Sequence, residues 1–370
     1  LMLEPEAYRA FSCSGCGECC QRPWSILISQ DYVERWQQVF HAHPSGLYHD
    51  PFVKAADPTP EHYADFHRKS GTGECIFLMD DRRCFIHAHY GEAALSDVCQ
   101  AFPRYEGWFG AFLGRFMLNS CPDVNDLTGR FPGILYELAR LGEAQWRAKL
   151  AVPHPLGLYQ GYLWLGLALD LLYQPSLTPI EAMRSLTAGL ACLPLPLGDT
   201  RPELLDTLQQ RLERSPPPAP PPDPRPAFEH LLGLLSHYAG VHDYVSEVYA
   251  GWRKFPRLVA EERELLAEFL RHYLAYRCLR AEYADGKQMD FFYGFYFVLA
   301  QHIALLQWLA LYYREREGGG LSREHLLRAA TAVSHRYDQR LLLIEQTRKL
   351  PPALCLEGMA HMLVFDWTRE

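Results

Sequence analysis

The sequence predicts a mainly α protein in which a loop-rich cysteine metal-binding module is followed by a helical bundle. Three observations carry this: eight of the 11 cysteines lie at or before Cys121, apolar residues recur at helical spacing from about Phe131 onward, and the stretch Phe291 to Tyr313 is apolar on every side. The expected division is residues 1–130 as the cysteine-rich metal-binding domain, 131–214 as a helical region, 215–226 as a proline-rich linker and 227–370 as a helical bundle.

Residues 1–130 are rich in turn-forming and aromatic residues, with short helical and extended pieces, no long amphipathic period and no strand-rich region. A chain segment of this kind needs something other than a large apolar core to organise it. The cysteines supply a candidate. Phe11-Ser12-Cys13-Ser14-Gly15-Cys16-Gly17-Glu18-Cys19-Cys20 reads C-x2-C-x2-C-C. Two intervening residues let successive thiolates converge on one centre, and Gly15 and Gly17 permit the tight turns this requires. Cys75, Cys84, Cys99 and Cys121 follow, and Cys121 precedes Pro122, as the remote fourth cysteine of bacterial ferredoxins precedes proline. The expected ligands are therefore Cys13, Cys16, Cys19, Cys20, Cys75, Cys84, Cys99 and Cys121. An iron–sulfur cluster of the 4Fe–4S type is favoured, with zinc the alternative because four cysteines with C-x2-C pairs also suit it. Disulfides are disfavoured by the adjacent Cys19-Cys20, whose mutual bond would close a strained ring. Eight thiolates suffice for two four-ligand sites or for one site with spare cysteines, and the sequence leaves the grouping open.

Of the neighbouring residues, His87 and His89 are close enough in sequence to reach the same centre, although a hydrogen bond to a loop carbonyl is the plainer role. Arg104, beside Phe102-Pro103, is a candidate cofactor-binding residue that can hydrogen-bond sulfides or a carboxylate, with an ordinary ion pair as the alternative. Trp24 can shield a cluster or simply fill a core.

Thr178-Pro179-Ile180-Glu181 is a capping box with proline at the first helical position, and Ile180, Met183, Leu186 and Leu190 continue the apolar stripe. Ser215 to Pro226, SPPPAPPPDPRP, is too dense in proline for a helix or strand interior and reads as a stiff connector. Beyond it, helices are expected over Leu258 to Ala284, broken by Gly286, over Met289 to Glu317, ended by Gly318-Gly319-Gly320, and from the cap Ser322 through Leu343. Tyr293, Tyr296, His302 and Trp308 on the apolar helix suit core packing. Cys192, Cys278 and Cys355 are expected as buried small apolar residues, and Glu261, Glu262 and Glu264 as a solvated face.

Pro155 to Pro175 and Phe291 to Tyr313 both raise the question of membrane insertion. The second is long enough to span, but Gln301, His302 and Gln307 in its middle favour a core helix, and no membrane span is expected. Net charge is -8, the pI is about 6.1 and mean hydropathy is -0.18, so no global positive field attracts nucleic acid, and Arg82-Arg83 is the nearest approach to a basic run. No nucleic-acid partner is expected. Leu1 to Arg9 lacks the apolar run of about 7–15 residues of a secretory signal, which makes cytoplasmic the default.

The string F-x-C-x2-C-G-x-C-C, with Cys75-Ile76-Phe77-Leu78, Cys84-Phe85-Ile86-His87 and Cys99-Gln100-Ala101-Phe102-Pro103-Arg104, resembles the cysteine-cluster proteins described as zinc- or iron-chelating, the YkgJ family. It is also similar to the N-terminal region of the flagellin lysine-N-methylases, the FliB family, to which Leu95-Ser96 before Cys99 and Ser120-Cys121-Pro122 lean. The second resemblance covers about the first third of the chain. It implies transfer of a methyl group from S-adenosylmethionine to a lysine side chain of a protein substrate, with an iron–sulfur cluster required. No G-x-G-x-x-G follows a strand pattern, and the C-x3-C-x2-C of the usual radical enzymes is replaced by C-x2-C-x2-C-C. A non-enzymatic zinc- or iron-binding module with a structural, sensing or electron-transfer role is the competing expectation.

Overall fold

The computed structural model describes residues 2–137, 166–192, 210–279, 290–337 and 350–369, apart from positions 23, 45, 47, 110, 111, 131–133, 211, 213–215 and 237. The described residues are mainly helical, but the cysteine-bearing third holds two small sheets that the sequence reading did not anticipate. In the first, the hairpin β5 (Arg104–Phe109) and β6 (Phe112–Met117) lies beside β1 (Met2–Pro5), which runs parallel to β6 and antiparallel to β7 (Ile134–Glu137). In the second, β4 (Ala64–Phe66) is the centre between β2 (Leu27–Ile28) and β3 (Phe52–Lys54), all antiparallel. Strands of two to six residues carry too few alternations to register as a period, which is why they were invisible. The run Ile134-Leu135-Tyr136-Glu137 fell inside the stretch expected to be helical. A four-residue apolar run suits either conformation, and the free edge of β1 makes it a strand.

Short helices join these strands. They are α1 (Glu6–Ala10), α2 (Gln30–His41), α3 (Phe85–Tyr90), α4 (Asp97–Ala101) and α5 (Pro122–Arg130). Ser29 caps α2 by accepting from the Tyr32 N–H, and one face of α2 buries Tyr32, Val33 and Phe40. These meet Phe52, Phe66, Phe77 and Phe85 in an aromatic core, with Phe40 and Phe77 ring centroids 4.8 Å apart.

The rest of the described chain is a helical body. It comprises α6 (Pro179–Ala191), α7 (Arg225–Leu235), α8 (Ala239–Tyr249), α9 (Ala260–Leu279), α10 (Asp290–Glu317), α11 (Arg323–Tyr337) and α12 (Pro352–Met362). The capping box at Thr178 is present in both directions, with Glu181 N–H donating to Thr178 Oγ1 and Thr178 N–H donating to Glu181 Oε2. Pro226, expected in the connector, instead occupies the first turn of α7, where its missing N–H costs nothing. Residues 166–172 are also helical and bury Leu167, Leu171 and Leu172, while 155–165 lie outside the described residues. So do Gly286 and the expected helix beyond Tyr337.

Helix α10 is enclosed by α7, α8, α11 and α12. It is the one described helix long and apolar enough to cross a membrane, and its apolar window is wholly buried against its neighbours. Tyr296, His302 and Trp308 are fully buried there, while the side chain of Tyr293 lies outside what is described. Cys278 and Cys355 are buried as expected, but Cys192 is exposed where α6 ends.

The acidic face of α9 needs a similar correction, because Glu262 is 5% exposed. Its carboxylate accepts from the N–H groups of Val259 and Leu321 and pairs with Arg314 on α10. Burial opposes its ionisation, but those N–H groups and the guanidinium outweigh burial and hold its pKa below the ordinary 4.5. A lowered folded-state pKa means the carboxylate's contribution is complete above pH 4.5 and is lost as pH falls through the folded value. Glu262→Gln is therefore expected to cost about 2 kcal/mol at pH 7. Urea midpoints of the two proteins should converge on acidification, and a gap that stays constant down to pH 3 would refute this account.

Candidate functional site

A small third core joins the cysteine module to the helical body. It contains Ala7, Phe11, Met117, Cys121 and Val124, closed from the far side by Tyr276 of α9. Next to it lies a cavity lined by Cys13, Cys16, Cys19, Cys20, Cys84, Cys99 and Cys121, that is, seven of the eight expected thiols. The eighth, Cys75, is 2% exposed and sits immediately behind, its N–H donating to the Cys20 carbonyl at 2.7 Å.

Each thiol is set by local backbone. Gly17 takes a left-handed conformation (φ 68°) and starts the 3₁₀ turn Glu18–Gln21, so Cys19 and Cys20 leave the chain on a tight helical arc with their sulfurs 3.9 Å apart. All 11 cysteines are free thiols. Gly15 N–H donates to Cys13 Sγ at 3.4 Å. Cys84 precedes α3 and pairs with Leu78 in an isolated bridge. Cys99 lies in α4, where Ser96 caps its N–H. Cys121 lies in the turn that opens α5, its carbonyl accepting from Val124.

The thiols differ electrostatically. A hydrogen bond from Cys20 lowers Cys84, and against burial the N–H groups of His87 and Ile86 help bring it to about 7. A separate contact with Cys20 lowers Cys75, and Cys20, surrounded by Cys19, Cys75 and Cys84, is driven up. Burial raises Cys13, Cys99 and Cys121. A thiophilic metal would replace these protons. Among the described residues, no three His, Cys, Asp or Glu side chains converge closely enough to grip one ion.

His87 lines the cavity and approaches Gly15, whereas His89 turns away and packs on Phe85 at 4.5 Å. Asp123 and Glu18 also line it, and neither was singled out from the sequence. Asp123 accepts from Ser14 N–H at 3.2 Å and so ties the Cys13–Cys16 loop to the start of α5. Its position two residues after Cys121 was the available signal.

A second cavity of about 330 Å³ shares Cys19, Cys20, Cys99 and Phe102 with the first. Its walls include Trp24, Ile26, Val98, Tyr105 and Leu118, with Arg104 the one charged group among the described residues. Arg104 donates to the Phe11 carbonyl at 2.7 Å and lies over the Phe11 ring at 4.9 Å rather than pairing with an acid. Trp24 stacks edge-on against Phe102 at 4.8 Å, and its indole N–H is buried without a hydrogen-bond partner.

Fold and site thus define a protein in which a thiol-lined cavity adjoins an apolar, ligand-sized one, backed by a helical body. Over 125 residues, 33% of the chain, the sequence is 27% identical to the flagellar biosynthetic protein FliU of Salmonella muenchen, covering 73% of that protein. It is 26% identical over the same length to the lysine-N-methylases of Salmonella typhimurium and Salmonella choleraesuis, covering 31% of each. The chain therefore spans less than a third of the length of these methylases. No family model matches, so the resemblance to the YkgJ cysteine-cluster proteins has no support beyond the cysteine spacing. No solved structure matches.

Proposed function

We propose that the thiol-lined cavity holds an iron–sulfur cluster and that the chain takes part in N-methylation of a lysine side chain on a protein substrate. The observation that carries this is the convergence of seven thiols from four separate stretches of chain on one cavity. Buried inert thiols have no reason to gather in this way. A single zinc ion, with Zn–S about 2.3 Å, draws its sulfurs to about 3.8 Å of one another. No such group of three is present among the described residues. What favours a cluster over one zinc is the C-x2-C-x2-C spacing with the remote Cys121 before Pro122.

The lysine reading comes from the relatives, two of which are named lysine-N-methylases. The donor set fits a thiolate-held cluster, which when bound would supply an electron-transfer centre beside the second cavity. That cavity falls in the size range of small-molecule sites. Its apolar walls would hold the body of S-adenosylmethionine, and Arg104 would take its carboxylate. In the transfer itself the S–CH3 bond breaks, an N–CH3 bond forms at lysine Nζ, and the lysine proton leaves to solvent. Free thiols persist in the reducing cytoplasm, where this chemistry would take place.

The test is anaerobic purification with iron, sulfide and zinc analysis, followed by incubation with methyl-labelled S-adenosylmethionine and flagellin. A brown protein that labels lysine is expected. A colourless, zinc-replete protein would sink the cluster, and an iron-loaded protein that transfers no label would sink the methylation.

A further inference from the structure

The eight thiols do not share one environment. Cys20, Cys75, Cys84 and Cys99 belong to or pack on the aromatic core of Phe40, Phe77 and Phe85. Cys13 and Cys121 belong with the separate core of Phe11, Met117 and Val124. The chain reinforces this split. Backbone bonds from Cys75 to Cys20, from Phe85 to Phe77 and from Leu78 to Cys75 lock the first set together. The second is tied by Ser14 N–H to Asp123, which fastens the loop carrying Cys13 and Cys16 to the start of α5 beside Cys121. Cys19 also packs on the first core, with its sulfur 3.9 Å from that of Cys20. Its spacing of two residues from Cys16 assigns it to the second.

We infer that the cavity is organised as two separate four-thiolate metal centres, an inner one held by Cys20, Cys75, Cys84 and Cys99 and an outer one held by Cys13, Cys16, Cys19 and Cys121. This deepens the cluster reading above and rests on it for the identity of the outer metal. The outer set reproduces three cysteines at x2 spacing plus a remote cysteine before proline, the arrangement that suits a cubane cluster. It includes Cys16, the exposed thiol among the eight, so the outer centre is the one reachable from solvent. The inner set has two buried thiols and lies under aromatic rings, so its centre is the one closed to solvent.

This partition explains two features of the sequence. The adjacent Cys19-Cys20 is the point where the chain passes from one centre to the other. Cys75 stands apart from the cavity because it closes its centre from behind, while Cys20, Cys84 and Cys99 of the same set line the wall.

Metal content of anaerobically prepared full-length protein decides the matter. Cys16→Ser is the chief variant, because an exposed thiol can be replaced without unfolding the chain. It is expected to lose about half of the total metal, and Cys121→Ser should lose the same half. Cys84→Ser should lose the other half, and circular dichroism reports whether it still folds. The two outer variants suffice if it does not. Loss of all metal from folded Cys16→Ser, or no loss, would overturn the partition. So would wild-type protein carrying metal for one centre alone. Two zinc ions per chain divided in the same way, without iron or sulfide, would uphold the partition and refute the cluster reading. No metal in any preparation would refute both.

Discussion

Gly17→Ala is expected to destabilise the protein more than any other single change in the cysteine module and, if the proposed metal site is present, to strip it of metal. Gly17 sits at φ 68°, and a left-handed conformation costs an alanine about 1–2 kcal/mol. Here the added carbon would also run into the Arg82 carbonyl oxygen and lie 2.9 Å from Leu78 Cδ1. A backbone carbonyl cannot swing aside as a side chain can, so the turn or the Arg82 segment must move. That segment leads directly into Cys84, and the turn carries Cys19 and Cys20. One methyl group therefore displaces thiols on both sides of the cavity. Gly15→Ala is the control. It has a similar backbone (φ 73°), but its added carbon would meet nothing closer than His87 Nδ1 at 3.5 Å, an ordinary contact. It should lose the backbone term alone, about 1–2 kcal/mol. Denaturation midpoints and metal content of the two variants, measured together, check this. Equal losses would show that the approach of Arg82 to Gly17 does not matter.

The contrast shows what sequence can and cannot convey about the site. That Gly15 and Gly17 serve tight turns follows from their place between cysteines. That one of them abuts a backbone 65 residues away does not, because the contact is made by folding Arg82 back onto the turn. The ligand candidates were legible for the same reason, since cysteine spacing is local. Which thiols neighbour which was not, because Cys75 follows β4, Cys121 follows β6, and Cys84 and Cys99 stand at the short helices α3 and α4, elements too short to leave a period. Arg104 illustrates the point. Its guanidinium met neither an acid nor, in the described residues, a sulfur, but the Phe11 carbonyl 93 residues earlier. The helical body was readable where caps and breakers are explicit, as at Thr178, Gly318 and Ser322, and misread where burial overrides composition. Glu262 carries a solvated-looking acidic signature but is buried, because the N–H groups of Val259 and Leu321 and the Arg314 guanidinium converge on it.

Trp308→Ala should produce the largest loss in the helical body, about 3–5 kcal/mol. The side chain is fully buried on α10 and meets rings from four other parts of the chain, Phe228, Tyr244, Phe255 and the pair Phe365 and Trp367, the last at 4.8 Å. The buried neighbours Phe228, Tyr244, Phe365 and Trp367 are each packed against a further aromatic group, which limits collapse into the space. Trp308→Phe should cost much less. It keeps most of the apolar volume and removes an indole N–H that is buried without a hydrogen-bond partner, a group whose desolvation costs about 1–3 kcal/mol. The same pair of variants separates a core helix from a membrane helix. In hydrocarbon, lipid tails would fill behind a truncated side chain and the alanine variant would be mild. Against packed neighbours, an unfilled cavity remains. The polar residues of α10 already point to packed neighbours, since Gln307 donates to the Phe365 carbonyl at 3.0 Å and His302 meets the Tyr273 hydroxyl at 3.2 Å. These bonds come from adjoining helices and the C-terminal segment, so polarity that would be costly in lipid here fixes how α10 is seated. A urea-unfolding series on wild type, Trp308→Ala and Trp308→Phe should give a wide gap for the first substitution and a narrow one for the second. Near-equal midpoints for all three would mean that α10 is not enclosed as described.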